Sequence, residues 1–237
     1  ISVVEKSDMK MTCFIQPQAD YTDDIEPKSG NLEFYLKQMK EQSAEAGISL
    51  EYQKLDKAED KVTKDTEFFE NEKINYRFGA AFAKEKDLKG ILKDTDSGLL
   101  GDVGTLVCDY TENQPVVSYY SDSVTLQTVT SDGMNYAYSD DIRMRSIQTA
   151  LGYTNVMLDM YDIFWPQEKT DRWEVMQKRF SSNLLTYWKN FRDFDSTTLS
   201  ESNARIRTFL NLAYSQSRED NTITLQTSEA GSWVILR

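Results

Sequence analysis

Histidine is absent from the 237 residues of this chain. Its absence excludes Ser-His-Asp and Cys-His catalysis, because both mechanisms need an imidazole as the general base. It also excludes zinc sites with histidine ligands, and two cysteines are too few for a closed all-cysteine zinc site. Any site chemistry in this chain therefore depends on carboxylates, Tyr, Lys, Arg or a metal ion held by oxygen ligands.

Cysteine is scarce, and both cysteines lie inside apolar, β-prone runs. Cys13 lies in MTCFIQ and Cys108 lies in TLVCDY. Because free cysteine is commonly a core residue, we expect two buried thiols in neighbouring strands. A disulfide between the two is the alternative.

Long hydrophobic runs are also missing. No stretch is long enough to cross a membrane, and the amino-terminal residues lack the pattern of a signal peptide. The sequence therefore predicts no membrane span. The first residue is Ile1 rather than Met, so we expect a mature chain or an excised domain of a larger protein.

The charge is one-sided, with 39 acidic against 27 basic residues and a net charge of −12. Such a surface repels phosphate backbones, so we expect no nucleic-acid partner, although solubility alone also explains the charge. Hydrophobic residues make up 39% of the chain, enough for one large α/β core. No repeat or proline-rich linker interrupts the sequence, and we predict a single domain over residues 1–237.

Hydrophobic periodicity predicts alternating strands and helices, and hence an α/β fold with parallel βαβ units. The segments between residues 105 and 135 favour a small antiparallel insertion. We interpret the apolar stripes of the last two helices, which include Trp188 and Phe209, as core. The predicted strands are 9–16, 48–52, 74–82, 105–109, 115–120, 124–129, 153–158, 221–226 and 232–236. The predicted helices are 31–47 (ending at Gly47), 84–93, 139–151, 171–191 and 200–215, with a solvated helix or loop at 54–73.

The stretch from Tyr138 to Pro166 combines the clearest structural signals. Ser, Asp and Asp at 139–141 supply an N-cap and an acidic first turn, and Gly152 ends the helix. A buried strand is expected next, with Asp159 at its carboxyl end. The sequence therefore predicts an α/β unit with a site-like loop beyond the strand.

Acids and aromatics follow several predicted strands. If these strands are parallel, their carboxyl ends meet at one edge of the sheet, where α/β folds bind ligands. Acids are common in surface loops, so their occurrence after these strands is also explained without a shared site. The residues in question are Asp20, Asp23, Asp24, Asp109, Tyr110, Tyr119, Tyr120, Asp122, Asp159 and Asp162.

The candidate catalytic residues are carboxylates, with Asp159 and Asp162 as an acidic pair and Asp109 as a third member. Two carboxylates across a sugar can act as general acid and as base or nucleophile in glycoside hydrolysis. The same oxygens can hold Mg²⁺ or Ca²⁺, so binding of an oxygen-ligated cation is an alternative. No other cofactor is expected.

Aromatic residues near the same strand ends are candidates for stacking against a sugar. For Trp165, which precedes Pro166, an equally good explanation is a hydrophobic side chain that fixes its loop. Arg143 and Arg145 lie two residues apart on a helix, so at most one of them faces a site, and an ion pair with a nearby acid is the alternative role. The substrate-binding candidates are Tyr110, Tyr120, Tyr161, Trp165 and Arg143.

Two stretches resemble a bacterial family grouped with the NodB-like polysaccharide deacetylases. They are ALGYTNVMLDMYDIFWP…DRWE at 150–174 and TLSESNARIRTFLNLAYS…NTITLQ…SWVILR at 198–237. The resemblance covers roughly half of the chain, from about Tyr119 onward. It implies a deformed (β/α) barrel of about seven strands, an extracellular or cell-surface location, and a carbohydrate partner linked to exopolysaccharide modification.

The sequence departs from that family at the metal site. NodB-like deacetylases use a Thr-Phe-Asp-Asp block and a His-x-x-x-His motif. The nearest counterpart of the block is Asp20-Tyr21-Thr22-Asp23-Asp24, and the histidine motif has none. The resemblance therefore implies a deacetylase-like domain that acts on or binds carbohydrate without the usual zinc site. A non-catalytic carbohydrate-binding or assembly domain and a carboxylate-dependent glycoside hydrolase are the alternatives.

Overall fold

A computed structural model of the chain forms two compact units, residues 1–200 and 201–237. They are called unit 1 and unit 2 and are described separately. The structure describes residues 9–15, 17, 31–42, 44–50, 55–74, 80–83, 103–108, 115–119, 124–132, 138–150, 152–159, 169, 172–190 and 195–231.

Unit 1 contains a six-stranded sheet with the order β1-β2-β3-β4-β6-β5. Five of its strands are parallel, and β5 alone runs antiparallel, against β6. The parallel strands therefore follow one another across the sheet in chain order. The strands are β1 (Thr12–Ile15), β2 (Glu45–Ser49), β3 (Ala80–Ala83), β4 (Thr105–Cys108), β5 (Val117–Tyr119) and β6 (Thr125–Thr128).

Helices connect the first strands, as the periodicity predicts. Since β1, β2 and β3 are parallel neighbours with a helix in each connection, they form two successive βαβ units. These helices are α1 (Asn31–Glu41) and α2 (Leu55–Asn71), and the later helices of the chain are α3 (Tyr138–Thr149), α4 (Trp173–Asn190) and α5 (Leu199–Leu210). The described strands form open sheets rather than a closed barrel. The predicted barrel stays a prediction, since its closure also depends on residues outside the described ranges.

One face of the sheet carries the main core. There the apolar stripes of α1 and α2 pack on alternate strand residues, as period-two side-chain alternation requires. Phe69 and Met39 are the largest helix side chains in this core, at 0% and 1% exposed. The sheet contributes Ala46, Ile48, Leu106, Cys108 and Leu126.

The other face combines a smaller apolar cluster with buried polar side chains. Phe14 and Phe82 lie on β1 and β3 with ring centroids 5.6 Å apart, although β2 lies between them. Gly47 is the register partner of Phe14, and its missing side chain leaves room for this contact. The buried polar residues that register and alternation place on this face are Glu45, Ser49, Thr105, Thr125 and Gln127.

Glu45, fully buried at the start of β2, joins β1 and β2 to the start of α5. The hydroxyls of Thr12 and Thr198 each donate to its carboxylate at 2.9 Å. The backbone N–H of Ser200 donates at 3.3 Å, and that of Leu199 donates to the Thr12 hydroxyl at 3.0 Å. Since the first N–H groups of a helix have no partner within it, these contacts cap α5 from the sheet.

A short parallel pair follows the main sheet. It consists of β7 (Ser131–Asp132), which follows β6 directly, and β8 (Val156–Met157). The Asn155 amide donates to the Thr128 carbonyl at 3.1 Å, and the Thr130 hydroxyl donates to the Asn155 carbonyl at 2.8 Å. These bonds fix the segment that leads to β8 against the end of β6.

Unit 2 contains an exposed hairpin. It consists of β9 (Tyr214–Glu219) and β10 (Thr222–Thr227), joined by Asp220 and Asn221. Asp220 has a φ of 50°, a left-handed conformation that Asp tolerates better than most residues.

The structure corrects several expectations for individual elements. Gly47 does not end a helix but lies inside β2, because α1 stops at Glu41. The cysteines are free as expected, but β2 and β3 separate their strands. The last predicted helix stops at Leu210, and residues 214–219 form a strand instead. Phe209 is 74% exposed rather than part of the core.

We expect Glu45→Ala to lower the free energy of unfolding by about 3 kcal/mol or more, because buried donors lose their acceptor. Glu45→Gln keeps one acceptor oxygen and should cost less. Urea unfolding followed by circular dichroism measures both. Glu67→Ala, at an exposed position inside α2, is the control and should change stability by at most about 0.5 kcal/mol. Equal stability of the Glu45→Ala and Glu67→Ala chains would contradict the role given to Glu45.

Candidate functional site

The carboxyl ends of the parallel strands share one edge of the main sheet. The strands that end there are β1, β2, β3, β4 and β6. Ligand sites of open α/β sheets lie beyond this edge, because the connections that leave it are free to vary. This carboxyl edge is therefore the candidate site.

Asp159 is the candidate catalytic residue that the structure describes. It lies two residues beyond β8 and is half-buried. Asp159 follows the carboxyl end of β8, and β8 runs parallel to β7. The pairing of Asn155 with Thr128 and Thr130 holds the chain just before β8, and so limits where Asp159 can lie.

The other acidic and aromatic candidates lie outside the described residues. Asp109 immediately follows the last residue of β4 in the chain, and β4 ends at the carboxyl edge. The predicted grouping of these residues with Asp159 stays a prediction. The candidates outside the described ranges are Asp109, Asp162, Tyr110, Tyr120, Tyr161, Trp165, Asp20, Asp23, Asp24 and Asp122.

The end of β5 lies at the opposite edge. Tyr119, its last residue, pairs with Thr125, the first residue of β6. The chain after Tyr119 therefore leaves from the amino edge of the parallel strands. The predicted convergence applies only to parallel strands, and β5 does not meet that condition because it runs antiparallel to β6.

The two arginines of α3 differ in their surroundings. Arg145 bonds Asp141 one helical turn earlier, with Nε 2.9 Å from Oδ1, and its side chain is half exposed. This is the ion pair that the sequence offers as the alternative to a site role. Arg143 is half-buried and remains the arginine candidate.

Ser131, the first residue of β7, carries no local sequence signal that would single it out. Ser131 is 1% exposed, and its hydroxyl has no hydrogen-bond partner in the described part of the chain. Buried hydroxyls are usually bonded, but this one is closed to bulk solvent and does not by itself mark a site. Its stretch, SDGMN, has the composition of a turn, and only the pairing with Val156 shows that it starts a strand.

The described residues contain no group of three or more Cys, Asp or Glu side chains placed to hold a metal ion. Among the described acidic candidates, Asp159 carries oxygen atoms of the kind that Mg²⁺ and Ca²⁺ prefer.

Neither described cysteine has the features of a catalytic nucleophile. Burial raises the pKa of the Cys13 thiol to about 11, so the thiol is protonated at neutral pH. Cys108 is 1% exposed within the main core. With histidine absent, no imidazole is present to deprotonate either thiol.

The chain matches no protein-family model, no curated protein and no solved structure. Among the described helices, none has the apolar length that a bilayer crossing requires.

Because the Cys13 thiol has a pKa of about 11, about one molecule in a thousand carries the thiolate at pH 8. We expect iodoacetamide to modify Cys13 at least 100-fold more slowly in the folded chain than in the urea-unfolded chain. The rate should rise with pH beyond pH 9. Mass spectrometry of the Cys13 peptide measures both rates, and similar rates at pH 8 would refute a raised pKa.

Proposed function

We propose that this chain is a divergent polysaccharide deacetylase-like domain that acts on or binds an extracellular carbohydrate without a histidine-ligated zinc site. Two observations support the proposal. Parallel strands follow one another across the sheet in chain order, as they do in (β/α) barrels. The observation that carries it is the position of Asp159 beyond the carboxyl end of β8.

Carboxylates supply the chemistry in this proposal. Asp159 and Asp162 act on the sugar, and Asp109 is the third acid. A carboxylate can accept a proton from an attacking water, or hydrogen bonds from sugar hydroxyls, without an imidazole. The aromatic candidates offer flat apolar faces to the sugar rings, and Arg143 offers donors to ring substituents.

Two alternative functions use the same residues. A non-catalytic binding or assembly domain of an exopolysaccharide apparatus needs the aromatic faces but no pair of acids. A glycoside hydrolase needs two carboxyl groups roughly 5–10 Å apart. The reaction product separates the three, since deacetylation releases acetate, hydrolysis releases reducing ends, and binding releases neither.

We expect Asp159→Asn to reduce activity on, or affinity for, N-acetylated oligosaccharides by at least tenfold, because the amide cannot act as a base. The assays are acetate release, reducing-end release and calorimetric binding. Asp60→Asn is the matched control and should leave all three unchanged. Asp60 lies on α2, exposed and paired with Lys64.

Thermal unfolding of the same two variants separates function from folding. The site assignment predicts that Asp159→Asn keeps the melting temperature of the parent chain within about 2 °C. If Asp159→Asn unfolds the chain, Asp159 has a structural role. If the folded variant keeps full activity and affinity, Asp159 is not part of the site.

A calorimetric titration with Zn²⁺ tests the absence of a zinc site. We expect no stoichiometric Zn²⁺ binding, because the usual imidazole ligands are missing from the sequence. Mg²⁺ and Ca²⁺ titrations serve as the comparison for an oxygen-ligated site. Tight binding of one Zn²⁺ per chain would overturn this part of the proposal and restore a deacetylase with unusual ligands.

A further inference from the structure

Unit 2 exposes large apolar side chains. Phe209 and Tyr214 are 74% and 70% exposed, and Leu210 and Ile223 are 46% and 51% exposed. These are four of the nine large apolar side chains that the described residues expose most. Unit 2 is the shorter of the two units, so exposed apolar side chains are concentrated in it.

The hairpin of unit 2 has two unlike faces. Its antiparallel register places Tyr214 opposite Thr227, Gln216 opposite Leu225 and Arg218 opposite Ile223, all on one face. The other face carries only polar side chains, namely Ser215, Ser217, Glu219, Thr222, Thr224 and Gln226. The hairpin is therefore amphipathic. A strand that adds to it should place its own apolar side chains on the same face.

The two edges of the hairpin also differ. Among the residues that the structure describes, each strand pairs only with the other, so neither outer edge has a partner strand there. β9 carries Arg218 and Glu219, and charges on an edge strand oppose the addition of another strand. β10, TITLQT, has no charge, proline or glycine. The β10 edge is therefore the one open to strand addition.

Unit 2 is electrically neutral, whereas the whole chain has a net charge of −12. Four arginines balance four acids, so the entire net charge lies in residues 1–200. A cationic partner would be drawn to those acidic residues rather than to unit 2. A neutral strand can approach an identical neutral strand without repulsion. The four arginines are Arg205, Arg207, Arg218 and Arg237, and the acids are Glu201, Glu219, Asp220 and Glu229.

We propose that β10 is a self-association strand, which pairs antiparallel with β10 of a second copy of this chain. A two-fold axis at Thr224 places Ile223 opposite Leu225 of the second copy. That register keeps the apolar faces of both hairpins on the same side of a four-stranded sheet. Because the pairing is isologous and the β9 edges carry charge, the assembly closes as a dimer.

The contact is small, so the dimer is weak. In this register five residues of each strand pair, 222–226, and paired edges of this length bury much less than the roughly 800 Å² per partner of a standard interface. We therefore expect a dissociation constant in the micromolar range or above.

The first test is disulfide trapping with the full chain carrying Thr224→Cys. In the proposed register this residue meets its own copy across the axis, with Cα atoms roughly 4.5–5.5 Å apart, within disulfide range. Oxidation at tens of micromolar should therefore give a covalent dimer on non-reducing gels. Ser217→Cys, on the polar face of β9, is the matched control, and neither it nor the parent chain should give a covalent dimer on these gels. Equal trapping of the two variants, or none of either, would overturn the proposed pairing.

Sedimentation velocity tests the association without cross-linking. The parent chain should shift from monomer to dimer as its concentration rises, and Ile223→Lys should weaken this association at least tenfold. Ser217→Lys adds the same charge to the other strand and should not. A parent chain that stays monomeric at several hundred micromolar, or an Ile223→Lys chain that dimerises normally, would refute the proposal. Sugar assays at protein concentrations where the chain is monomeric test the proposed function independently of self-association.

Discussion

The Glu45 carboxylate is the contact on which the arrangement of unit 1 depends most. It is fully buried and receives hydrogen bonds from Thr12, Thr198 and the backbone of Ser200. Residues 45 and 198 are 153 positions apart, so the bond from Thr198 closes a long loop of chain. A buried carboxylate is costly unless its oxygens are satisfied, and here the donors come from three different segments. The fold therefore has to bring β1, β2 and the start of α5 together.

This contact also divides the molecule by function. Glu45 lies at the amino end of β2, and Asp159 follows the carboxyl end of β8. In parallel α/β folds the amino ends of the strands mainly serve stability, while the carboxyl ends carry chemistry. Glu45 is thus a structural carboxylate although it is more buried than any described candidate site residue. Burial of an acid alone does not identify a site; the end of the strand on which it lies is the better guide.

Local patterns in the sequence predict most of the elements but not their long-range contacts. The spacing of Leu36 and Met39 predicts the buried face of α1, and the apolar run at 105–108 predicts β4. The start of β2 was not predicted, because Glu45 is charged and its donors lie far away in the sequence. β9 was not predicted because Tyr214 and Ser215 extend the helical spacing of α5. The reversal at Asp220 depends on a left-handed backbone that composition indicates only weakly.

For the candidate site, the sequence indicates which residues follow strands but not in which direction those strands run. Asp159 follows a parallel strand, but Tyr119 ends an antiparallel one, and no local pattern separates the two cases. Whether a strand is parallel or antiparallel depends on which strand lies beside it in the sheet. Long-range packing decides that neighbour.

The division of charge between the two units links both proposals. A surface with net charge −12 repels polyanions, but an uncharged glycan pays no such penalty, and its hydroxyls can donate to carboxylates. Unit 2 has no net charge, so charge does not oppose its proposed pairing with unit 2 of a second copy. Because Asp159 lies in unit 1 and β10 lies in unit 2, the two activities rest on different residues. If both proposals hold, self-association presents two copies of the proposed carbohydrate site to one polymer. Such avidity raises the apparent affinity for long chains more than for short oligosaccharides.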